Sequence, residues 1–322
     1  MKAILIGQGG RLELGSVPEP ELRPGSVIID VKAAGVNRAD LLQAAGKYPP
    51  PPGWPEWPGL ECAGIVASAA PDSRWKVGDR VCALLGGGGY AEKVLVPEGM
   101  VMPIPEGFSF VQAAGLPEVY TTAMLNVVQL GELKKGDTLF VQAGASGLGI
   151  AAIQLAKLIG AKVVTTVGSP EKAEAVRKLG ADVVINRKVE AVDQVLAQHP
   201  LDVALDCAGG ALLGKCLPAM NPGGRWILVA TLGGETTEIP LRVVLKKHLR
   251  IIGSTLRSRS DAEKSELLHK LVETVWPHFA SGRIAPMIDA TFPLESAAEA
   301  HRVLRETRNV GKVILTNRGG TE

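Results

Sequence analysis

Cysteine is scarce in this chain, and the four present (Cys62, Cys82, Cys207 and Cys216) form no C-x-x-C pair and no repeated spacing. That argues against a disulfide framework and against a structural zinc cluster, and the four read as small buried apolar residues. No apolar run approaches the roughly 18 residues of a membrane span. The N-terminal M-K-A-I-L-I-G-Q-G-G lacks the core and cleavage site of a signal peptide, so a soluble, cytoplasmic protein without membrane association is expected. A strong charge of one sign is also missing: the net charge is +2, which gives no footprint for nucleic acid. Aromatic residues make up only 4%, and no internal repeat is visible.

Glycine, by contrast, is abundant, with 38 in 322 residues. The most informative cluster lies in Thr138 to Gly149, T-L-F-V-Q-A-G-A-S-G-L-G, a short apolar run that opens into small residues and then an alanine-rich helical pattern. Gly144, Gly147 and Gly149 allow a sharp turn and close approach of ligand and helix, while the free N–H groups at the helix start favour a pyrophosphate. The spacing is G-x-x-G-x-G, and taken bare it is equally a structural turn. Its context is a strand–helix–strand unit, with helix Ile150 to Ile159 and a second apolar run, Val163 to Val167. A dinucleotide is the leading inference.

Where that second strand ends, about 20 residues beyond the glycine turn, NAD-specific sites carry an acid for the ribose hydroxyls. Here the chain reads Gly168, Ser169, Pro170, Glu171, Lys172. A small residue leaves room for a 2′-phosphate, Ser169 offers a hydrogen bond and Lys172 a positive charge, so NADPH is favoured over NADH. Ser169 also reads as an ordinary N-cap with Pro170 at the first helical position, and Lys172 as a surface lysine.

At this length two lobes are the natural expectation. Strand-like runs at Leu139 to Val141, Val163 to Val167, Val183 to Ile185, Val203 to Cys207, Arg225 to Val229 and Leu249 to Ser254 alternate with helices. They predict an α/β Rossmann domain with a doubly wound parallel sheet over residues 120–257. Residues 1–119 read as a mainly β lobe with little helical periodicity and strands at Val27 to Ala33, Asp79 to Leu84 and Tyr90 to Val96. In the segment 258–322, a helix at Asp261 to Ala280, a strand at Ala290 to Pro293, a helix at Leu294 to Arg305 and a last strand at Lys312 to Thr316 are too little for a domain and should pack onto the first lobe. Pro49 to Pro58 holds six prolines with Trp54 and Trp57; it reads as a rigid loop, or as a polyproline ligand for another protein.

Several of these segments together resemble the medium-chain dehydrogenase/reductases, in the zinc-free quinone oxidoreductase branch that includes zeta-crystallin. The carriers are A-A-G-V-N-R-A-D at Ala33 to Asp40, G-K-Y-P-P-P at Gly46 to Pro51, G-D-R-V at Gly78 to Val81, A-G-A-S-G-L-G at Ala143 to Gly149 and N-V-G-K at Asn309 to Lys312. The resemblance runs nearly end to end. It implies a GroES-like β catalytic domain completed by the C-terminal segment, a Rossmann domain between, and a homodimer through the edge of the Rossmann sheet. Zinc-dependent relatives carry a cysteine ligand in the segment of Asn37 and a histidine before the glutamate in Gly59, Leu60, Glu61. Asn37 and Leu60 cannot supply those ligands, and no metal is expected.

Hydride transfer without a Lewis acid then needs an acceptor that is already electrophilic. Quinones fit; the alternatives are a 2-alkenal or enoyl-thioester reductase, or a non-enzymatic NADPH-binding protein like the crystallins. The resemblance implies that Asn37 and Tyr48 line the nicotinamide and acceptor, each with a donor for a carbonyl; read alone, they are a turn amide and a loop aromatic. It places Thr121 at the nicotinamide, Ala145, Ser146, Gly147, Leu148 and Gly149 at the pyrophosphate, and Gly168, Ser169 and Lys172 at the adenosine phosphate. Asn309 and Lys312 would close over the cofactor. Arg187 stands where relatives have a tyrosine, and reads either as a phosphate partner or as a surface residue. Leu232 and Gly233 follow the fifth strand, and Leu256 and Arg257 the sixth, at the ligand-binding edge of such sheets. Asp40 is read as an orienting group or as half of a surface ion pair with Arg38. His248 and His301 have no companion ligand spacing.

Overall fold

The computed structural model describes residues 1–318. A hairpin of β1 (Lys2–Ile6) and β2 (Leu12–Ser16) opens the chain. β3 (Ser26–Val36) follows as an 11-residue run, S-V-I-I-D-V-K-A-A-G-V, buried almost throughout. A β-branched run covered on both faces belongs in the middle of a sheet. After α1 (Arg38–Ala44) come β4 (Glu61–Ala69), β5 (Arg80–Leu84), β6 (Lys93–Pro97) and β7 (Val101–Pro103). β4 is absent from the sequence expectation because E-C-A-G-I-V-A-S-A is mostly small residues with weak strand preference; its place comes from pairing with β3. Tyr90, expected to open a strand, lies before β6 and is fully buried. This lobe is also more helical than its sequence periodicity indicates: α1, α2 (Phe110–Ala113) and α3 (Pro117–Ala123) are seven residues or fewer, too short to show a 3.6-residue apolar stripe.

Two compact units emerge: Met1–Thr121 together with the chain from Arg257 on, and Thr122–Leu256. The second opens with a π-helix, Met124–Leu130. It then alternates β8 (Thr138–Val141), α4 (Gly147–Ile159), β9 (Lys162–Val167), α5 (Pro170–Lys178), β10 (Val183–Asn186), α6 (Val192–Leu196), β11 (Leu201–Asp206), α7 (Ala211–Cys216), β12 (Met220–Leu228), α8 (Leu241–Lys247) and β13 (Arg250–Gly253). All neighbours pair in parallel, in the order β10-β9-β8-β11-β12-β13. That is the doubly wound Rossmann arrangement. Its core includes Phe140, Val164, Ile185 and Trp226. Cys207, expected to end the fourth strand, lies one residue beyond it.

The C-terminal segment returns to the first unit with α9 (Asp261–Ala280), β14 (Ile288–Pro293), α10 (Ala297–Arg305) and β15 (Lys312–Thr316). Ser260 and Glu263 close a capping box at the start of α9. The helix expected from Leu294 begins with a 3₁₀ turn, Leu294–Ser296. β15 pairs antiparallel with β3, Val313 opposite Val36, and β14 pairs in parallel with β15. The mixed sheet therefore runs β14-β15-β3-β4-β5-β7, with β6 also on β3. Residues some 275 positions apart in sequence, such as Lys312 and Asn37, become side-chain neighbours by this route.

Candidate active site

The turn between β8 and α4 departs from the sequence expectation in one respect. None of Gly144, Gly147 and Gly149 has a positive φ; the left-handed residue is Ala143, at φ 55°. The glycines serve close approach instead. A Cβ on Gly149 would stand 2.5 Å from the Ala143 carbonyl oxygen and 2.6 Å from that of Gly144, both rigid backbone. Ser146 caps α4, its Oγ accepting from the Gly149 amide at 3.0 Å, while the amides of Gly147 and Leu148 at the helix start have no intrahelical acceptor. Ala145 is buried beneath the turn. On the same unit, the buried Gln142 Nε2 and Ser254 Oγ, just past β8 and β13, have no hydrogen-bond partner among the described residues. An N-terminal cradle, with unfilled donors at the carboxyl end of the same parallel sheet, fits a pyrophosphate-linked dinucleotide.

At the end of β9, Ser169 caps α5 by accepting from the Lys172 amide at 3.4 Å, with Pro170 in the first turn. Its hydroxyl also bonds Glu171, which holds that carboxylate below its ordinary range. The acid is a competitor for Ser169 that the sequence reading overlooked. Arg187 lies over Gly168: a Cβ there would meet its Nη1 at 2.8 Å. The absence of a side chain at Gly168 is what leaves room for the Arg187 guanidinium. Leu232 is 53% exposed and Gly233 donates to the Ala208 carbonyl at 2.7 Å, whereas Leu256 is buried at 6%.

In the first unit the expected site residues converge on a buried polar network. Lys312 Nζ donates to Glu61 Oε1 at 2.5 Å, Asn37 Oδ1 at 2.8 Å and the Val36 carbonyl at 2.9 Å. Asn37 Nδ2 donates to the same Glu61 oxygen at 2.9 Å and to the Gly35 carbonyl at 3.4 Å. The second Glu61 oxygen accepts from the Glu118 amide at 2.9 Å. All three Lys312 protons and both Asn37 amide protons are thus engaged inside the protein. Asn309, expected beside Lys312, turns its Nδ2 to the Gly311 carbonyl at 2.7 Å.

The surface-pair reading of Asp40 is overturned, because its side chain is wholly buried. It accepts from the Asn37 amide at 2.7 Å, the Gly59 amide at 3.2 Å and the Tyr90 hydroxyl at 2.9 Å. Burial pushes its carboxyl up to about 6 against those three bonds. Tyr90 spends its proton on Asp40, so His301, 3.3 Å away, must present Nε2–H to the phenol oxygen. Burial, aided by Arg305, pushes His301 down to about 4 and keeps it neutral. Tyr90, His301 and Glu118 escaped the sequence reading since no local motif links them to Asp40 or Glu61.

Tyr48 remains available. It is half-buried, and its hydroxyl has no hydrogen-bond partner among the described residues. Thr121, fully buried on α3, also has an unpartnered hydroxyl. Burial and the neighbouring Glu61 carboxylate push Glu118 up to about 8. A folded-state value above the unfolded one means that the folded protein holds this proton longer, so its stabilising effect is complete near pH 4 and is lost as pH rises through about 8. Glu118→Gln, which cannot ionise, is expected to be more stable than the parent at pH 9 by about 2 kcal/mol, with little difference at pH 5. Urea unfolding at both pH values checks this; equal offsets at the two would count against a protonated Glu118.

A parallel nucleotide-binding sheet with a phosphate turn, joined to a mixed sheet that holds a buried polar site, defines a two-domain dinucleotide-dependent oxidoreductase. Residues 23–106 match the alcohol dehydrogenase GroES-like domain and residues 147–273 the zinc-binding dehydrogenase domain. The quinone oxidoreductase of Rattus norvegicus is 31% identical over 98% of this chain and 97% of its own. A synaptic vesicle membrane protein VAT-1 homolog of Danio rerio is 31% identical over 97% of this chain and 69% of its own. Among solved structures, the quinone oxidoreductase from Thermus thermophilus, also solved with NADPH, superposes with a TM-score of 0.84 at 30% identity, over 98% of this chain and 100% of that one. The chain belongs to the medium-chain dehydrogenase/reductase family, in its quinone oxidoreductase branch.

Proposed function

We propose that this protein transfers hydride from NADPH to a quinone or a related activated carbonyl, without a metal. The observation that carries the reading is the closure of Glu61 by the Lys312 ammonium and the Asn37 amide. The acidic side chain at the heart of the site is already neutralised by an internal cation, and the flanking Asn37 and Leu60 are not soft ligands. The donor set does not suit a Lewis-acidic ion, so the acceptor must bring its own electrophilicity. Quinone oxidoreductases among the relatives support that acceptor class.

When bound, NADPH supplies the reducing equivalent. Ser146, Gly147, Leu148 and Gly149 would hold its pyrophosphate, Gly168, Ser169, Lys172 and Arg187 its adenosine phosphate, and Thr121 its nicotinamide end. Tyr48, with a free phenol, orients the acceptor oxygen that gains charge. The Lys312–Asn37–Glu61 cluster holds that corner rigid and excludes water from it. Replacing Arg187 by alanine is expected to raise KM for NADPH roughly tenfold while leaving KM for NADH within about twofold, since only the phosphate loses its partner. Initial rates with both cofactors measure this.

We further assign a homodimer through β13, one of the sheet's two outer strands. Support comes from Ile251 on β13, 38% exposed, and from Leu241 and Leu245 on the preceding helix α8, each 75% exposed. A reducing cytoplasmic setting is consistent with four free cysteines. No helix among the described residues is long and apolar enough to cross a membrane. The test of the reaction is anaerobic NADPH oxidation against quinones, enals and enoyl thioesters. Turnover confined to enals or thioesters would replace the quinone reading; tight NADPH binding without turnover would replace the enzymatic one.

A further inference from the structure

One buried side chain of the first unit has no part in the reaction as assigned. Arg257 is 8% exposed and is held without a direct bond to any carboxylate: its four hydrogen bonds all go to neutral acceptors. Nε and Nη2 donate to the Gly86 carbonyl at 2.9 and 2.5 Å, Nη1 to the Tyr48 carbonyl at 2.9 Å, and Nη2 again to Gln43 Oε1 at 2.7 Å. The guanidinium carbon stands 4.8 Å from the centre of the Tyr48 ring. Gln43 passes the connection on, its amide donating to the Glu56 carbonyl at 2.7 Å. One planar fork therefore ties together α1, the loop that carries Tyr48, the proline-rich loop and the Gly86 to Gly89 turn.

A buried cation on neutral acceptors is costly, and burial lowers the proton affinity of this guanidinium. The arrangement makes physical sense if geometry and field at Tyr48 are what it provides. Arg fixes orientation where Lys cannot, because its donors form a rigid plane. Its charge also acts on the phenol: burial and Glu118 raise the Tyr48 pKa, and Arg257 opposes them.

We propose that Arg257 is the positioning residue of the acceptor site, fixing the Tyr48 ring and the Gly86 turn beside it and keeping the phenol a strong donor toward the acceptor oxygen. This rests on Tyr48 being the acceptor-orienting group named above. Arg257→Met is expected to lower kcat/KM for a quinone such as 1,4-benzoquinone roughly 30-fold, with the NADPH dissociation constant within about twofold. In a Tyr48→Phe background the same change should cost less than about threefold, because the two residues act as one unit. Arg257→Lys keeps the charge and loses the fork, so it should share most of the loss in kcat/KM.

An ultraviolet titration of the phenols supplies a reading that a merely structural arginine would not move. The chain has three tyrosines; burial drives Tyr90 and Tyr120 far above the ordinary phenol range, so the first to ionise is Tyr48. Its midpoint should rise in Arg257→Met and stay in place in Arg257→Lys. Equal losses in both backgrounds, or an unmoved phenol midpoint in Arg257→Met, overturn the proposal. Should Arg257→Met fail to fold, Gln43→Leu, which removes one partner of the fork, and Arg257→Lys complete the same cycle. The titration needs no acceptor, so a wild-type enzyme inert toward quinones would sink the quinone reading and still leave Arg257 to be judged on the phenol.

Discussion

Lys312→Met is expected to cost about 3–5 kcal/mol of folding stability, the largest loss from any single substitution in the buried network. The change takes away an ammonium that sits 4% exposed against Glu61 and leaves a wholly buried carboxylate facing only the Asn37 amide and the Glu118 backbone. Adding Glu61→Gln removes the stranded charge, and most of the loss should then be recovered even though no ion pair is restored. Guanidinium unfolding of the single and double variants measures both terms. A single-variant loss below about 1 kcal/mol would mean that water reaches Glu61 and that the cluster does not close the site as described.

Gly149→Ala should abolish useful cofactor binding, weakening the NADPH dissociation constant by roughly 100-fold or more. The added methyl meets the Ala143 and Gly144 carbonyls at 2.5 and 2.6 Å, and neither is a flexible side-chain end that can swing away. Ala143 already occupies the left-handed region, which costs about 1 kcal/mol before any further displacement. The helix start must therefore move outward, and the amides of Gly147 and Leu148 move with it. Fluorescence titration with NADPH, with circular dichroism to verify the fold, decides the matter; a dissociation constant within twofold of the parent would show that the turn can relax.

How much of this was legible in the sequence depended on how local each feature is. The phosphate turn, the Ser169–Pro170 helix start, helix Asp261–Ala280 and strand Lys312–Thr316 are written in consecutive residues, and the structure has them with the same or nearly the same bounds. Strand Glu61–Ala69 was invisible because its small residues are chosen for close packing against a neighbouring strand. Asp40 shows the limit on the site side. A carboxylate next to Arg38 looks like half of a surface pair, and only the burial of Tyr90 and His301 from distant segments turns it into the hub of a dry network. Asn37 and Lys312 were each picked out by a local motif, but that the two side chains bond one another and share Glu61 as acceptor is a fact of tertiary geometry.

The position of β15 beside β3 has a consequence for how the chain is made. Unit Thr122–Leu256 is continuous in sequence and emerges from the ribosome complete, whereas the sheet of the first unit lacks an inner strand, and Glu61 its cation, until residues 312–316 have been made. The nascent first lobe must wait with an open strand edge and an uncompensated carboxylate while its neighbour folds. A stop placed between codons 257 and 311 should therefore yield a folded Rossmann core attached to an N-terminal lobe that chaperones and proteases treat as unfinished.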